Sequence, residues 1–264
     1  MAASFQQQVQ SSFNKAAQTY DEHADLQRIV ARELFACAKP KMNDEARWLD
    51  IGCGTGFLQE LIRTSQLKTH LIQLDIAPAM CEVAQHYASD EAFGLTHTLN
   101  ADMAALPVKI QSFNGVISSL AMQWSGDMER VFAEVQRVLK QGGYFYASIM
   151  GEGSLAELKA SYHALGREAP IQSFISDAEL TAKLQPFFGE DVVVSCKPIT
   201  LYYDNAMQLL KRLRGIGASF KGERQQLASK GFFAELEAYY SQKFGDEQGV
   251  PATWNILSIE GKKP

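Results

Sequence analysis

The 264 residues carry a formal charge of −5, with 46% hydrophobic and 21% charged side chains. That balance suffices to bury the core of one α/β domain, and it excludes a disordered chain and the basic face of a general nucleic-acid binder. Four scattered cysteines (Cys37, Cys53, Cys81, Cys196) show neither a C-x-x-C pair nor metal spacing, so no metal is expected and the thiols are expected to stay reduced in the cytoplasm. The Gln- and Ser-rich start, Met1 to Tyr20, lacks an apolar h-region, and no run approaches the roughly 18 apolar residues of a membrane span. A soluble, cytoplasmic protein with no membrane partner is expected.

Val9, Phe13, Ala16, Ala17 and Tyr20 recur at helical spacing, and Leu26, Val30 and Leu34 repeat it, predicting two helices ahead of the first strand. From Trp48 the rhythm changes to a short apolar strand ending at Ile51, a glycine turn, and a helix from Phe57 to Thr64. A strand from His70 to Leu74 precedes a helix from Pro78 to Tyr87, opened by a proline whose missing N–H costs nothing in a first turn. Leu95 to Leu99 and Gly115 to Leu120 are the third and fourth strands. An amphipathic helix from Met128 to Leu139 has Gly142-Gly143 as its expected stop, and Tyr144 to Ile149 is the fifth strand. Later, Leu155 to Leu165 and Ala178 to Leu184 read as helices, and Val192 to Tyr203 as a strand. Residues 204 to 242 read as mostly helix, and Thr253 to Ile259 as a last strand pairing with 192–203. Alternation of this kind predicts an α/β fold with a doubly wound, mostly parallel, seven-stranded sheet. Residues 1–264 are expected to form a single domain, with a helical lid over 1–40 and a helical cap over 204–245.

The sharpest motif is Leu49-Asp50-Ile51-Gly52-Cys53-Gly54-Thr55-Gly56, a strand running into a glycine turn and a helix. Alternate glycines let the chain turn sharply and let a ligand rest against backbone. A dinucleotide fingerprint is G-x-G-x-x-G; here the third glycine comes one residue early and Phe57 takes its slot. Asp50, ending the strand, would repel pyrophosphate but suits a cationic amino group, as on S-adenosylmethionine. Asp75 ends the second strand, where a carboxylate can accept from both ribose hydroxyls. Asp102 follows the third strand, placed for the adenine amino group. Any one of these aspartates also reads as a loop or cap residue; together, after that turn, they point to one nucleoside-bearing ligand. Met80 reads either as core packing or as an adenine contact.

Residues 48 to 150 resemble the class I S-adenosylmethionine-dependent methyltransferases, with their Rossmann-like sheet. The resemblance implies that Gly52, Gly54 and Gly56 line the methionine portion, Asp75 the ribose, and Asp102 with Met103 the adenine. It also places Ser119-Leu120-Ala121-Met122-Gln123-Trp124 beside the methyl donor. Beyond that general pattern three stretches resemble the malonyl-acyl-carrier-protein O-methyltransferases of biotin synthesis. They are Val9-x-x-x-Phe13-x-x-Ala16-Ala17-x-x-Tyr20-Asp21-x-x-Ala24-x-Leu26-Gln27, the Gln123-Trp124 pair, and Gly151-x-Gly153-Ser154-Leu155-x-Glu157-Leu158. Glu134-x-x-Arg137-Val138-Leu139-Lys140-x-Gly142-Gly143 agrees too, but its Arg-Val-Leu block is common to methyltransferases generally.

This second resemblance implies esterification of a malonyl carboxylate carried on acyl carrier protein or coenzyme A. Such an acceptor, with a pKa of about 4, needs no general base. Tyr20 is then the candidate to donate a hydrogen bond to the carboxylate, and Gln27 to hold the cofactor or the acyl group. Gln123 and Trp124 would face the substrate. An acidic carrier implies a basic surface, and residues 204–230 hold Lys211, Arg212, Arg214, Lys221, Arg224 and Lys230 against Asp204 and Glu223. On a helix Leu209, Leu213 and Ile216 share one face and leave Lys211, Arg212 and Arg214 to the others; a solvated face would look the same. Two rivals stand beside this expectation. A small-molecule C-methyltransferase acting on a quinone precursor would need a base, for which His23 is the candidate. A non-catalytic binding module would not require three glycines and three acids. A nicotinamide dehydrogenase is disfavoured by Phe57 and Asp50.

Overall fold

The computed structural model describes residues 2–87, 95–216 and 230–264. Helix α1 (Ala2–Ala16), a 3₁₀ turn (Tyr20–Glu22) and α2 (Asp25–Ala38) precede the sheet. Strand β1 (Arg47–Ile51) leads to α3 (Phe57–Thr64), β2 (His70–Asp75), α4 (Pro78–Tyr87) and β3 (Thr96–Asn100). Then come β4 (Phe113–Ser119), a 3₁₀ turn (Met122–Trp124), α5 (Met128–Val138) and β5 (Leu139–Met150). The chain closes with α6 (Ala156–Ala164), α7 (Asp177–Phe188), β6 (Val193–Tyr203), α8 (Ala206–Gly215), α9 (Lys230–Phe244) and β7 (Val250–Lys262).

The seven strands lie in the order β3-β2-β1-β4-β5-β7-β6. All pairs from β3 to β5 are parallel, and β7 runs antiparallel to both β5 and β6. Strand order reverses between β1 and β4, and a crevice opens there at the carboxyl ends of the strands. Side chains alternate across the sheet. Leu49 and Ile51 of β1 join the core against α5 and α7, while Trp48 packs with Leu34, Phe35 and Ile62 of α2 and α3. Asp50 therefore emerges on the α2 side, at the crevice. A third cluster packs α6, α8 and α9 over β6 and β7, and reaches Leu26 and Val30 of α2. Leu209, Leu213 and Ile216 are buried on that face of α8, as their spacing predicts.

Most expected boundaries agree within two residues, but Gly142-Gly143 is not the stop of α5. The helix ends at Val138 and β5 begins at once, running through both glycines. The helix end is satisfied instead by Lys263, whose Nζ donates to Gln136 O at 2.6 Å and Leu139 O at 2.9 Å. The glycines serve an irregularity in pairing with β4, where Gly142 (φ +70°) and Gly143 bond to the backbone of Lys263. Among the described residues no helix is long and apolar enough to cross a membrane.

Candidate active site

The glycine turn is tied to the end of β2 by backbone: Gly52 N and Cys53 N both donate to Leu74 O, at 2.8 and 2.9 Å. Gly52 takes φ +73°, and a Cβ there would lie 2.2 Å from that of Ala121, so turn and β4 loop approach as only glycine allows. A Cβ on Gly54 would meet nothing within 4 Å, leaving bare backbone open to the crevice. Gly56 does otherwise. Its Cβ would lie 3.2 Å from that of Ala84 in α4, and it borders neither cavity at the turn. The third glycine, at the N-cap of α3, packs against α4 and borders neither of these cavities.

A cavity of about 670 Å³ lies along the strand ends, walled by Gly52, Gly54, Asp75, Met80, Asp102, Met103 and Leu120. Phe13, Tyr20 and Trp124 close its other side, with Phe13 edge-on to Trp124 at 5.7 Å. Asp75 accepts from Gly54 N at 3.0 Å and Ala77 N at 2.8 Å. Burial still raises its carboxyl above the usual range, and those backbone bonds pull the other way. Asp102 accepts from Ala104 N at 2.8 Å and from the Gln6 amide at 3.0 Å. Glu134 and Arg137 of α5 pin the next stretch, bonding the backbone of Leu106 and Val108. Met80 is 1% exposed within the α1–α4 cluster and also forms part of the cavity wall. Leu120 sits in the left-handed region (φ +50°), held by its N–H to Ser148 O and by the Gln123 amide on its carbonyl. Such strain costs about 1–2 kcal/mol in a branched residue and marks a functional loop.

A second cavity of about 490 Å³ shares Tyr20, Gly52, Gly54 and Ser119 with the first and adds Asp50, Gln27, Asp21 and Arg28. Asp50 is 3% exposed, and burial followed by the Asp75 charge pushes its carboxyl up to about 8. A cation placed beside it would recover that cost. Tyr20 walls both cavities; burial, then the charges of Asp75 and Asp21, push its hydroxyl well above the usual tyrosine range. It is a neutral donor throughout the physiological range. Burial, then Asp75, likewise keeps the Cys53 and Cys81 thiols protonated.

The bare Gly54 backbone and the buried Asp75 and Asp50 carboxylates fit a nucleoside with a cationic amino-acid end, and the one basic residue among the described walls, Arg28, lies 3.5 Å from the Asp21 carboxylate. Known proteins agree. A methyltransferase-domain family model matches residues 49–147. The malonyl-[acyl-carrier protein] O-methyltransferase of Methylovorus sp. is 32% identical over 263 residues, covering 97% of this chain and 88% of that protein.

The chain belongs to the malonyl-[acyl-carrier protein] O-methyltransferase family.

It is a methyltransferase, and its cofactor is S-adenosylmethionine. The biotin biosynthesis bifunctional protein BioHC of Teredinibacter turnerae is also 32% identical, over 97% of this chain but only 46% of that protein, so the methyltransferase spans about half of it. A putative methyltransferase structure from Bacillus halodurans superposes with TM-score 0.62 at 13% identity, covering 89% of this chain and 98% of that one, which supports the fold.

Two of the expected substrate and partner residues lie away from the cofactor cavities of the methyltransferase. Gln123 does not border the cofactor cavity; its Nε2 is bound to Leu120 O, and it lines a separate cavity of about 1010 Å³ between the start of α5 and α7. Arg212 is not a free surface charge: Nη1 donates to Glu22 O and lies 3.5 Å from the Asp25 carboxylate. Lys211 and Arg214 are exposed, whereas Lys221 and Arg224 lie outside the described residues. His23, the rival base, lines neither cavity and packs on α8. The sequence reading missed Gln6, Asp21 and Thr55, the last two joined by a 2.8 Å hydrogen bond across the turn. The signal for Gln6 was a polar stripe: Gln10 donates to Ile76 O and Asn14 accepts from Ala79 N on the same face of α1.

Proposed function

We propose that this methyltransferase esterifies the free carboxylate of a malonyl group carried as a thioester on acyl carrier protein, an early step of biotin synthesis in the cytoplasm. Relatives bearing that activity in their names match it nearly end to end. The observation that carries the chemistry is Tyr20, a hydroxyl kept protonated at the junction of the two cavities. It can donate a hydrogen bond to an anionic acceptor and cannot serve as a base near neutral pH. That suits an acceptor already ionised, and a carboxylate is one.

S-adenosylmethionine supplies an electrophilic methyl group on a sulfonium. Asp50 holds its amino group, Asp75 its ribose hydroxyls, and Asp102 with Gln6 and Met103 the adenine end. Gly52 and Gly54 admit the methionine portion against bare backbone, with Gln27 alongside. Phe13, Tyr20 and Trp124 exclude water and confine the approach of the acceptor. Tyr20 orients the carboxylate by one of its oxygens and leaves the other free to attack. Transfer to a carboxylate oxygen would leave the electron pair of the broken bond on the cofactor's sulfur and would move no proton, so the chain's residues need only bind, orient and exclude water. In this account α1 and α2 act as the lid and α8 with α9 as the cap, whose exposed Lys211 and Arg214 meet the acidic carrier. A single-turnover rate flat from about pH 6 to 9 is expected. An ascending limb near neutrality would instead reveal a base and a carbon acceptor.

A further inference from the structure

Helix α8 reaches the segment that carries Tyr20 through two residues one turn apart. Arg212 donates to Glu22 O, lies 3.5 Å from the Asp25 carboxylate, and is 3.5 Å from His23 Nδ1. Gly215, the last residue of α8, lies so close to the same histidine that a Cβ would sit 1.8 Å from its Cδ2. At the other end of the segment, Asp21 accepts from Thr55 at 2.8 Å inside the glycine turn, and Tyr20 walls both cavities. The cap and the cofactor turn therefore grip one short stretch of chain from opposite sides.

That stretch is a three-residue 3₁₀ turn with no side-chain cap, in which Tyr20 packs on the Ala77–Met80 cluster and Asp21 pairs with Arg28, leaving the Glu22–His23 end to be held from outside. Such a turn leaves carbonyls unpaired at its end, and its own bonds are poorly aligned. The guanidinium is a planar fork, able to serve the Glu22 carbonyl and the Asp25 carboxylate together, where an ammonium would be a single point. Glycine at the end of α8 is less helix-favouring than alanine, but its missing side chain is the space the His23 ring occupies.

We infer that Arg212 and Gly215 are positioning residues: they seat the Tyr20–Asp21 turn on the cofactor-binding glycine loop. The inference rests on the cofactor site alone and holds whichever acyl acceptor the enzyme takes.

The test measures S-adenosylmethionine affinity by calorimetry, alongside the melting temperature of the ligand-free enzyme. Gly215→Ala improves helix propensity, so a purely structural role predicts unchanged affinity. The positioning role predicts that Gly215→Ala raises Kd about tenfold, as Arg212→Ala does, the worth of about one charge-assisted hydrogen bond. Adding His23→Ala to Gly215→Ala removes the ring the new Cβ meets and should return Kd to within about twofold of the parent. Arg212→Lys should recover only part of the loss. Turnover should fall by the same factor on carrier-bound and free malonyl thioesters. Unchanged affinity in Gly215→Ala, or a loss that His23→Ala does not reverse, would overturn the inference.

Discussion

Below the cofactor cavity, contacts are made by backbone: Gly52 and Cys53 bond to β2, and Gly54 and Ala77 donate to the Asp75 carboxylate. Above it, they are made by side chains: Gln6 to Asp102, Gln10 to Ile76, Asn14 to Ala79, and Asp21 to Thr55. The floor cannot move without disturbing the parallel sheet. The roof can be released one amide at a time, each at a net cost of about 1 kcal/mol. The difference separates two tasks. A rigid floor sets which ligand binds, and a roof of weak polar contacts sets how readily it enters and how well water is kept out.

If the floor fixes affinity, its charges should give the largest effects. Asp75→Ala should weaken S-adenosylmethionine binding about 10- to 100-fold, since a charged acceptor for two hydroxyls is worth about 1.5–3 kcal/mol. Calorimetry checks it, and unchanged affinity would remove Asp75 from the site. Asp50 comes next. With its carboxyl pushed up to about 8, it is mostly protonated at pH 7 in the ligand-free enzyme. Capture of a cationic amino group should ionise it, so binding at pH 7 should release a proton, visible as a dependence of the heat on buffer ionisation enthalpy. Affinity should rise from pH 6 toward 8, and Asp50→Asn should abolish the release. The linkage to stability has the opposite sense. A raised folded-state pKa stabilises fully below the unfolded value of about 3.8 and loses that contribution as pH climbs through about 8. The ligand-free melting temperature should therefore fall between pH 6 and 8, less so in Asp50→Asn.

The roof side chain that faces the acceptor should act on rate more than on affinity when its hydroxyl alone is removed and the turn that carries it stays seated. Tyr20→Phe should lower the single-turnover rate about tenfold with little change in cofactor Kd, the loss of one oriented hydrogen bond. A fall in affinity alone would assign Tyr20 to cofactor binding. The smallest effects should come from the cap surface. Lys211→Glu with Arg214→Glu should raise KM for malonyl carrier protein at low salt and leave a free malonyl thioester nearly unaffected, and the difference should shrink as salt screens it. Equal loss on both substrates would make these residues structural.

The floor was legible in the sequence because its chemistry is local. Asp50, Gly52 and Gly54 fall within five residues, Asp75 ends β2, and Asp102 lies two residues beyond the end of β3. The roof was only half legible. Phe13 and Tyr20 show their helical spacing, but the amide partners of Gln6 and Asn14 lie 96 and 65 residues away, beyond any local pattern. Gly56 shows how a positive-φ glycine that packs helices looks, in sequence, like one that admits a ligand. Arg212 shows that helical spacing says which residues leave the buried face, not whether a neighbouring loop arrives to use them. The Gly151–Leu158 stretch resembled the family yet builds scaffold, with Ser154 bonding Gly151 O and Glu157 accepting from Thr253 of β7.

The most direct test is mass spectrometry of malonyl carrier protein incubated with the enzyme and S-adenosylmethionine, with fragmentation of the acylated carrier arm. A carboxyl O-methyltransferase adds the mass of one methylene to the malonyl group and leaves a methyl ester, which fragments with loss of methanol. No gain would contradict the proposed substrate. A gain that fragments with loss of carbon dioxide from a retained free carboxyl would place the methyl on carbon, which would contradict both the pre-ionised acceptor and the role given to Tyr20.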